Sequence, residues 1–204
     1  MIVSFEGLMG SGKSLTSTAL AHSEYELNHR KVISNNHLNF PYTFFDLKYF
    51  LDHLEDEELN DCVLLLDESY LYLDGRTSST KLNKLFTYFV VQTRKRGVDM
   101  YICIHHIDMI DKRLRRSINV RGTCRYWKEQ PCKQCEGTGV FKEATCDRCL
   151  GYGETGWATT RFLDLGSGRR TRIRIFGPAV WPLYSTEELV PFSKRQMNIS
   201  VGEL

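Results

Sequence analysis

The chain has 204 residues, 42% of them hydrophobic and 25% charged, with a formal net charge of only +2. That balance excludes a disordered chain, and so small a net charge gives no general attraction for nucleic acid, so any such partner has to be held by local clusters. The length suits one well-buried domain with a small appendage; the longest apolar runs, such as CVLLL at residues 62–66, are far too short to span a bilayer, and the N-terminus lacks a signal-peptide layout. The expectation is a soluble intracellular protein with no membrane partner.

MIVSF at residues 1–5 reads as a short strand running straight into a glycine-rich turn. KSLTSTALAHSEYELNHR follows as a helix, and KVISNN (31–36) as a second strand. After Pro41, the stretch TFFDLKYFLDHLEDEE places Phe44, Leu47, Phe50, Leu51 and Leu54 at helical spacing. DCVLLLDES (61–69) is an apolar run closing on two acids, as expected of a central parallel strand. The polar loop DGRTSST (74–80) then leads into a helix whose apolar face is Leu82, Leu85, Phe86, Phe89 and Val90, stopped by Gly97. VDMYICIHH (98–106) is another buried strand. Strand and helix alternate throughout, which predicts an α/β domain with a mostly parallel sheet flanked by helices on both faces. After about residue 120 the character changes, and the core is set at residues 1–125. A cysteine-rich insertion occupies 126–156, and TTRFLDLGSGRRTRIRIFG (159–177) alternates around a Gly-Ser-Gly turn, as a β-hairpin with one basic face that completes the core before a C-terminal tail.

Gly7, Gly12, Lys13 and Ser14 fit G-x-x-x-x-G-K-[ST], with the strand and helix that a phosphate-binding loop needs on either side. Residues Gly7, Leu8, Met9, Gly10, Ser11, Gly12, Lys13, Ser14 and Leu15 would wrap a nucleotide's phosphates with backbone N–H groups and a helix N-terminus. Lys13 would reach the β- and γ-phosphates, and Ser14 with Asp67 would hold Mg²⁺. Glu68, one step beyond Asp67, is placed to polarise a water for attack on the γ-phosphate. The Asn-Lys-x-Asp base reader of guanine-nucleotide switches is approached only by NKLF (83–86), which lacks the aspartate. Hydrolysis of ATP is the expected chemistry. His105, at the tip of the 98–106 strand, is the candidate γ-phosphate sensor. Arg94 and Arg96 have two readings: an arginine finger on a neighbouring subunit's nucleotide, or solvated cations at a helix C-terminus.

With GLMGSGKS, VLLLDES, and RKRGVDMYICIH followed by RLRRSINVRG, residues 1–125 resemble the FtsK–HerA superfamily of P-loop motor ATPases, with His105 where the family has glutamine. The compact chain is similar to the genome-packaging NTPases of turreted icosahedral archaeal viruses. The resemblance implies a RecA/ASCE-like core and a homo-oligomeric ring, hexameric or pentameric. Such a ring moves double-stranded DNA into a preformed capsid, in contact with capsid or portal vertex proteins and with procapsids in the host cytoplasm. Three rivals stand beside it: a phage assembly or export ATPase resembling the zonula-occludens-toxin family, a nucleoside or nucleotide kinase, and a non-enzymatic zinc-binding adaptor with a vestigial phosphate loop, against which Lys13, Ser14, Asp67 and Glu68 stand together.

Cys132, Cys135, Cys146 and Cys149 form C-x₂-C-x₁₀-C-x₂-C, each pair trailed by glycines, a set able to close a structural tetrahedron around one Zn²⁺. Each unit resembles the cysteine-rich repeats of DnaJ-type chaperones. Cys62 and Cys103, in apolar strands, read as small core hydrophobes. Two basic clusters are candidate DNA contacts: Arg113, Arg115, Arg116 and Arg121, and Arg169, Arg170, Arg172 and Arg174; Lys81 and Lys84 are weaker candidates. Solvated faces or subunit salt bridges are the alternatives for each cluster.

Overall fold

Alternation inside three short strands organises the molecule. In the computed structural model, which describes residues 1–68 and 81–185 apart from the side chains of 81–83, 128 and 129, β1 (Ile2–Glu6), β4 (Cys62–Leu66) and β5 (Asp99–Ile104) are almost wholly buried. Successive side chains of a strand point to opposite faces. Ile2, Leu64, Leu66, Met100, Ile102 and Ile104 therefore enter one core, and Val3, Phe5, Val63, Leu65, Tyr101 and Cys103 the other. Helices cover both faces. α1 (Lys13–Asn28) closes the second core, while α2 (Leu47–Asp52), α3 (Lys81–Gln92) and α4 (Lys112–Ser117) lie on the first.

The remaining strands are β2 (Lys31–Ser34), β3 (Thr43–Phe44), β6 (Val120–Pro131), β9 (Glu154–Asp164) and β10 (Arg170–Phe176), with β7 (Val140–Phe141) and β8 (Ala144–Thr145) forming a separate small ribbon. Eight strands make one sheet in the order β10-β9-β6-β1-β5-β4-β2-β3. From β3 to β6 all neighbours are parallel; β6, β9 and β10 are antiparallel. The expected α/β sheet is present. The boundary near residue 125 is not a break, because β6 runs through it and pairs with β9 as far as Pro131↔Glu154. The hairpin read at 159–177 is the β9–β10 pair and begins earlier, at Glu154. A short last helix, α5 (Gly177–Val180), packs back on the second core.

Two local readings change. The single helix expected from Phe44 to Leu54 divides: Phe44 belongs to edge strand β3, and Asp46 then caps α2 by accepting a hydrogen bond from the Tyr49 N–H at 2.6 Å. The apolar spacing is real, since Leu47, Phe50 and Leu54 are all buried, but the cap sets where the helix begins. α1, by contrast, brings Thr16, Ser17 and Thr18 against the sheet beside Leu15 and Ala21. Thr16 Oγ1 lies 3.0 Å from Thr160 Oγ1 and Ser17 Oγ lies 3.2 Å from Cys103 Sγ, so two of these hydroxyls are satisfied at close approach. Cys62 and Cys103 are fully buried, and burial pushes the Cys62 thiol up to about 11, as befits inert core residues. The loop read at 74–80 and the C-terminal tail lie outside the described residues. Among the described residues, no helix is long and apolar enough to cross a membrane.

The opposite end of the sheet from the phosphate loop is tied by charge. Arg30 donates to Asp99, to the Gly97 carbonyl at 2.6 Å and to the Cys62 carbonyl at 3.0 Å. Desolvation opposes ionisation of Asp99, but hydrogen bonds from the Met1 ammonium and Arg30 outweigh it and hold the carboxyl below its usual range. A depressed carboxyl pKa contributes stability above the unfolded value, which is lost as pH falls through the folded one. Asp99→Asn is therefore expected to lower the unfolding free energy by about 1–3 kcal/mol at pH 7. The difference should begin to shrink in urea titrations as pH falls below about 4 and be lost only below the lowered folded value.

Candidate functional site

A strand buried on both faces can present polar groups only at its ends, and here the C-terminal ends of β1, β4 and β5 lie side by side. β1 ends at Glu6 and turns at once into the phosphate loop. Gly12 sits in the left-handed region at φ 85°, just before α1 begins at Lys13. The loop is closed by Ser11 N–H donating to the Leu8 carbonyl at 3.1 Å. Lys13 is buried, and its Nζ donates to the Leu8 carbonyl at 3.1 Å across the mouth of the loop. Leu8 and Met9 are exposed, so they can offer a phosphate only their backbone. Ser11 Oγ is buried with no hydrogen-bond partner among the described residues.

Across from the loop stands the end of β4. Ser14 Oγ donates to Asp67 Oδ2 at 2.5 Å, which brings together the two oxygen ligands expected for a divalent cation. Asn35 and Asn36 hold Asp67 in place. Asn35 grips its peptide reciprocally: Asp67 N–H donates to Asn35 Oδ1 and Asn35 Nδ2 donates to the Asp67 carbonyl, both at 2.8 Å. Asn36 Nδ2 donates to Asp67 Oδ2 at 2.9 Å. Sequence reasoning missed both asparagines. Their signal was present in SNN, polar residues directly after an apolar strand, at the edge where the acids after VLLL also emerge.

Glu68 has left-handed backbone at φ 46°, and its N–H donates to Asp67 Oδ1 at 2.9 Å. That turn aims the carboxylate across to β5, where Glu68 Oε2 lies 3.5 Å from His105 Nε2 and makes no hydrogen bond among the described residues. The other ring nitrogen, His105 Nδ1, is 3.4 Å from the Gly7 carbonyl. β5 lies between β1 and β4, so its tip bridges the loop and the acid. Lys13, Ser14, Asp67, Glu68 and His105 thus converge. Arg94 and Arg96 lie at the far end of β5. Arg94 is exposed, while Arg96 donates to the carbonyls of Leu54 at 2.6 Å and Asp56 at 3.3 Å.

A further pair gives no sign in the sequence. Glu6, nine-tenths buried at the root of the loop, accepts two hydrogen bonds from Arg121, at 2.7 Å from Nε and 2.6 Å from Nη2, and one from Ser4 Oγ at 2.8 Å. By sequence Arg121 falls in a cluster of candidate DNA contacts. Its charge is matched here, as are those of Arg113 by Asp111 and Arg115 by Asp108.

The four cysteines gather at the far end of the β6–β9 ribbon, their sulfurs within 4.8 Å of one another. Cys132 and Cys146 are 3.8 Å apart and Cys135 and Cys149 3.6 Å. A tetrahedron with metal–sulfur bonds of about 2.3 Å has edges of about 3.8 Å, so four thiolates so placed could hold zinc. The knuckles are near-copies. Gly139 N–H donates to Cys135 Sγ and Gly153 N–H to Cys149 Sγ, each at 3.3 Å. A Cβ on Gly139 would stand 2.3 Å from the Gly151 carbonyl oxygen, and one on Gly153 2.3 Å from that of Gly137, so each turn excludes side chains from the other.

No family model and no curated protein matches this sequence. Solved structures do share the fold. The N-terminal domain of zonular occludens toxin from Neisseria meningitidis aligns at TM-score 0.61 and 15% identity, over 90% of this chain and 98% of that one. The genome packaging NTPase B204 from Sulfolobus turreted icosahedral virus 2, in complex with ATP-gammaS, aligns at TM-score 0.54 and 12% identity, over 84% and 95%. The resemblance to viral P-loop ATPases read from the motifs is met in the fold.

Asn35→Ala leaves the Asp67 peptide unmatched in a buried place. A loss of about 1–3 kcal/mol in unfolding free energy is expected by urea titration, with a smaller loss for the less buried Asn36→Ala.

Proposed function

We propose that this protein is an ATP-hydrolysing motor that translocates double-stranded DNA, acting as a homo-oligomeric ring that moves a viral genome into a preformed capsid at the portal vertex. One observation carries the reading: the Glu68 carboxylate, one of its oxygens buried and without a hydrogen bond among the described residues, faces His105 across the mouth of the phosphate loop. A carboxylate in that place takes a proton from a water aligned on the γ-phosphate, while His105 marks the phosphate's presence. A small-molecule kinase, whose nucleophile is its substrate, needs no water-activating base in this place.

Lys13 and the loop N–H groups would hold the β- and γ-phosphates. Ser14 and Asp67, joined here by a hydrogen bond at the mouth of the loop, would hold Mg²⁺ between them. When bound, that ion neutralises phosphate charge. Asn35 and Asn36 keep Asp67 oriented, and Glu68 orients the attacking water. ATP as the nucleotide is supported by the packaging NTPase aligned above, which was solved with ATP-gammaS. Arg94, exposed at the opposite end of β5, could meet nucleotide only on a neighbouring subunit. The four cysteines would hold one structural Zn²⁺, which contributes folding energy to a polar segment that otherwise buries little.

A second reading has an observation of its own. The zonular occludens toxin domain aligns over nearly the whole of both chains, which favours an assembly or export ATPase on the same core. ATP hydrolysis stimulated by double-stranded DNA supports the packaging motor, and unstimulated hydrolysis supports the second reading. Phosphate transfer to a nucleoside would identify a kinase instead.

Glu68→Gln should still bind ATP while its turnover falls by about a hundredfold or more; turnover near that of the native protein would refute the role given to Glu68. Elemental analysis should find one zinc per chain, lost in Cys135→Ser together with several degrees of melting temperature.

A further inference from the structure

Among the described residues, no helix covers β6, β9 and β10 on the face they share with α4. Paired residues of antiparallel strands point the same way. The register, with Arg125↔Thr159, Thr123↔Arg161, Arg161↔Arg172 and Thr159↔Arg174, therefore collects Arg125, Arg161, Arg170, Arg172 and Arg174 on one side, with Trp127 beside them. All are exposed, Trp127 to 56%. The opposite side, with Cys124, Ala158, Phe162 and Ile175, packs into the second core. Two adjoining grooves of about 520 and 510 Å³ run across the bare face and share Arg161 and Arg172 as walls.

This arrangement is costly for folding alone. Arg161 and Arg172 are directly opposite, and like charges so placed destabilise a sheet. No acidic residue stands on this face between positions 121 and 127 of β6, along 157–163 of β9 or along 170–176 of β10. Arg161, Arg170 and Arg172 have no carboxylate partner among the described residues. Arg125 and Arg174 lie over the rings of Trp127 and Trp157, at 5.9 and 4.3 Å, which leaves their charge uncompensated. Arg113 and Arg115 on α4, and Arg121 on β6, each have an acid supplied by the fold; on this face no arginine has one among the described residues.

We infer that the bare β6–β9–β10 face is where the phosphodiester backbone of double-stranded DNA lies. The inference rests on the translocase reading and gives it a surface. Alternate residues of a strand recur about every 7 Å, and neighbouring strands lie about 5 Å apart, so the arginines form a flat grid of cations that meets successive phosphates without reading bases. Arg125 and Arg161 are not contiguous with the basic runs in the sequence and join them only through strand pairing. The groove reaches Arg121, whose partner Glu6 is the residue before the phosphate loop. The backbone thus lies one side chain from the nucleotide site.

The test is fluorescence anisotropy with a labelled mixed-sequence 30-base-pair duplex and the full chain, over a range of salt. Arg161→Ala/Arg172→Ala is compared with Lys48→Ala/Lys95→Ala, which removes the same charge elsewhere. Thermal unfolding and gel filtration verify fold and assembly. The arginine pair is expected to weaken binding at least tenfold and to make the slope of log K against log salt shallower by about two, at about 0.9 for each phosphate no longer neutralised, with the lysine pair near native. Equal behaviour of the two variants, with native binding intact, overturns this inference and leaves the translocase reading standing. Absence of duplex binding and of DNA-stimulated hydrolysis in the native protein overturns both. An arginine variant that binds duplex but no longer assembles makes the face a subunit interface and overturns the inference. Tighter binding of an equal-length single strand, lost in Trp127→Ala, overturns the assignment to a duplex.

Discussion

The site depends on one constraint. A parallel strand buried on both faces has no room for a charged side chain along its length, so polar chemistry is displaced to the strand ends. Within β1, β4 and β5 the apolar positions alternate between one core and the other, and the interior polar residue Ser4 is satisfied by Glu6. The chain can carry charge only where each strand starts or stops, and the parallel arrangement brings the stops to one edge. Glu6 and the phosphate loop, Asp67 and Glu68, and His105 all stand at or just past the end of an apolar run. Even the asparagines that clasp Asp67 follow the same rule at the end of β2.

How much of this was legible follows from how far apart the cooperating residues are. The phosphate loop is one contiguous peptide whose glycines, lysine and hydroxyl each have a local duty, so its spacing in the sequence was enough. The strands were legible because burial on both faces leaves an unbroken apolar run. The middle helix was overextended because Phe44 has the right spacing, yet Asp46 stops the helix before it reaches that ring. Partnerships across the fold gave no local sign. Nothing near Glu6 points to Arg121, more than a hundred residues away, and nothing in CRYW or TTRF announces that Arg125 and Arg161 share a face with the RTRIR run. That face exists only once the strand register is fixed.

The cysteine segment shows the reverse economy. It has almost no apolar core, and its buried cluster is the four sulfurs themselves. Repeated short knuckles with glycine at the same offsets make a motif that is strong in sequence. Desolvation opposes ionisation of Cys135, but N–H donors from Gly139 and Gly137 and the neighbouring sulfurs outweigh it and bring its thiol down to about 6. The same backbone contacts that shape the turn ready its sulfur for a cation.

β6 is one uninterrupted path from the centre of the sheet to that cluster. Its first residues are clamped to β1 through Val3↔Val120 and Glu6↔Thr123, while Pro131, beside Cys132, stands beyond an irregularity between Trp127 and Gln130. At about 3.4 Å per residue the stretch beyond the β1 pairing, still paired with β9, is roughly 27 Å long. A tilt of about 5° at the clamp would therefore swing the cysteine cluster through about 2 Å. The displacement from any tilt arising at the β1–β6 seam would thus be larger at the cysteine cluster than beside the phosphate loop, as at the long end of a lever.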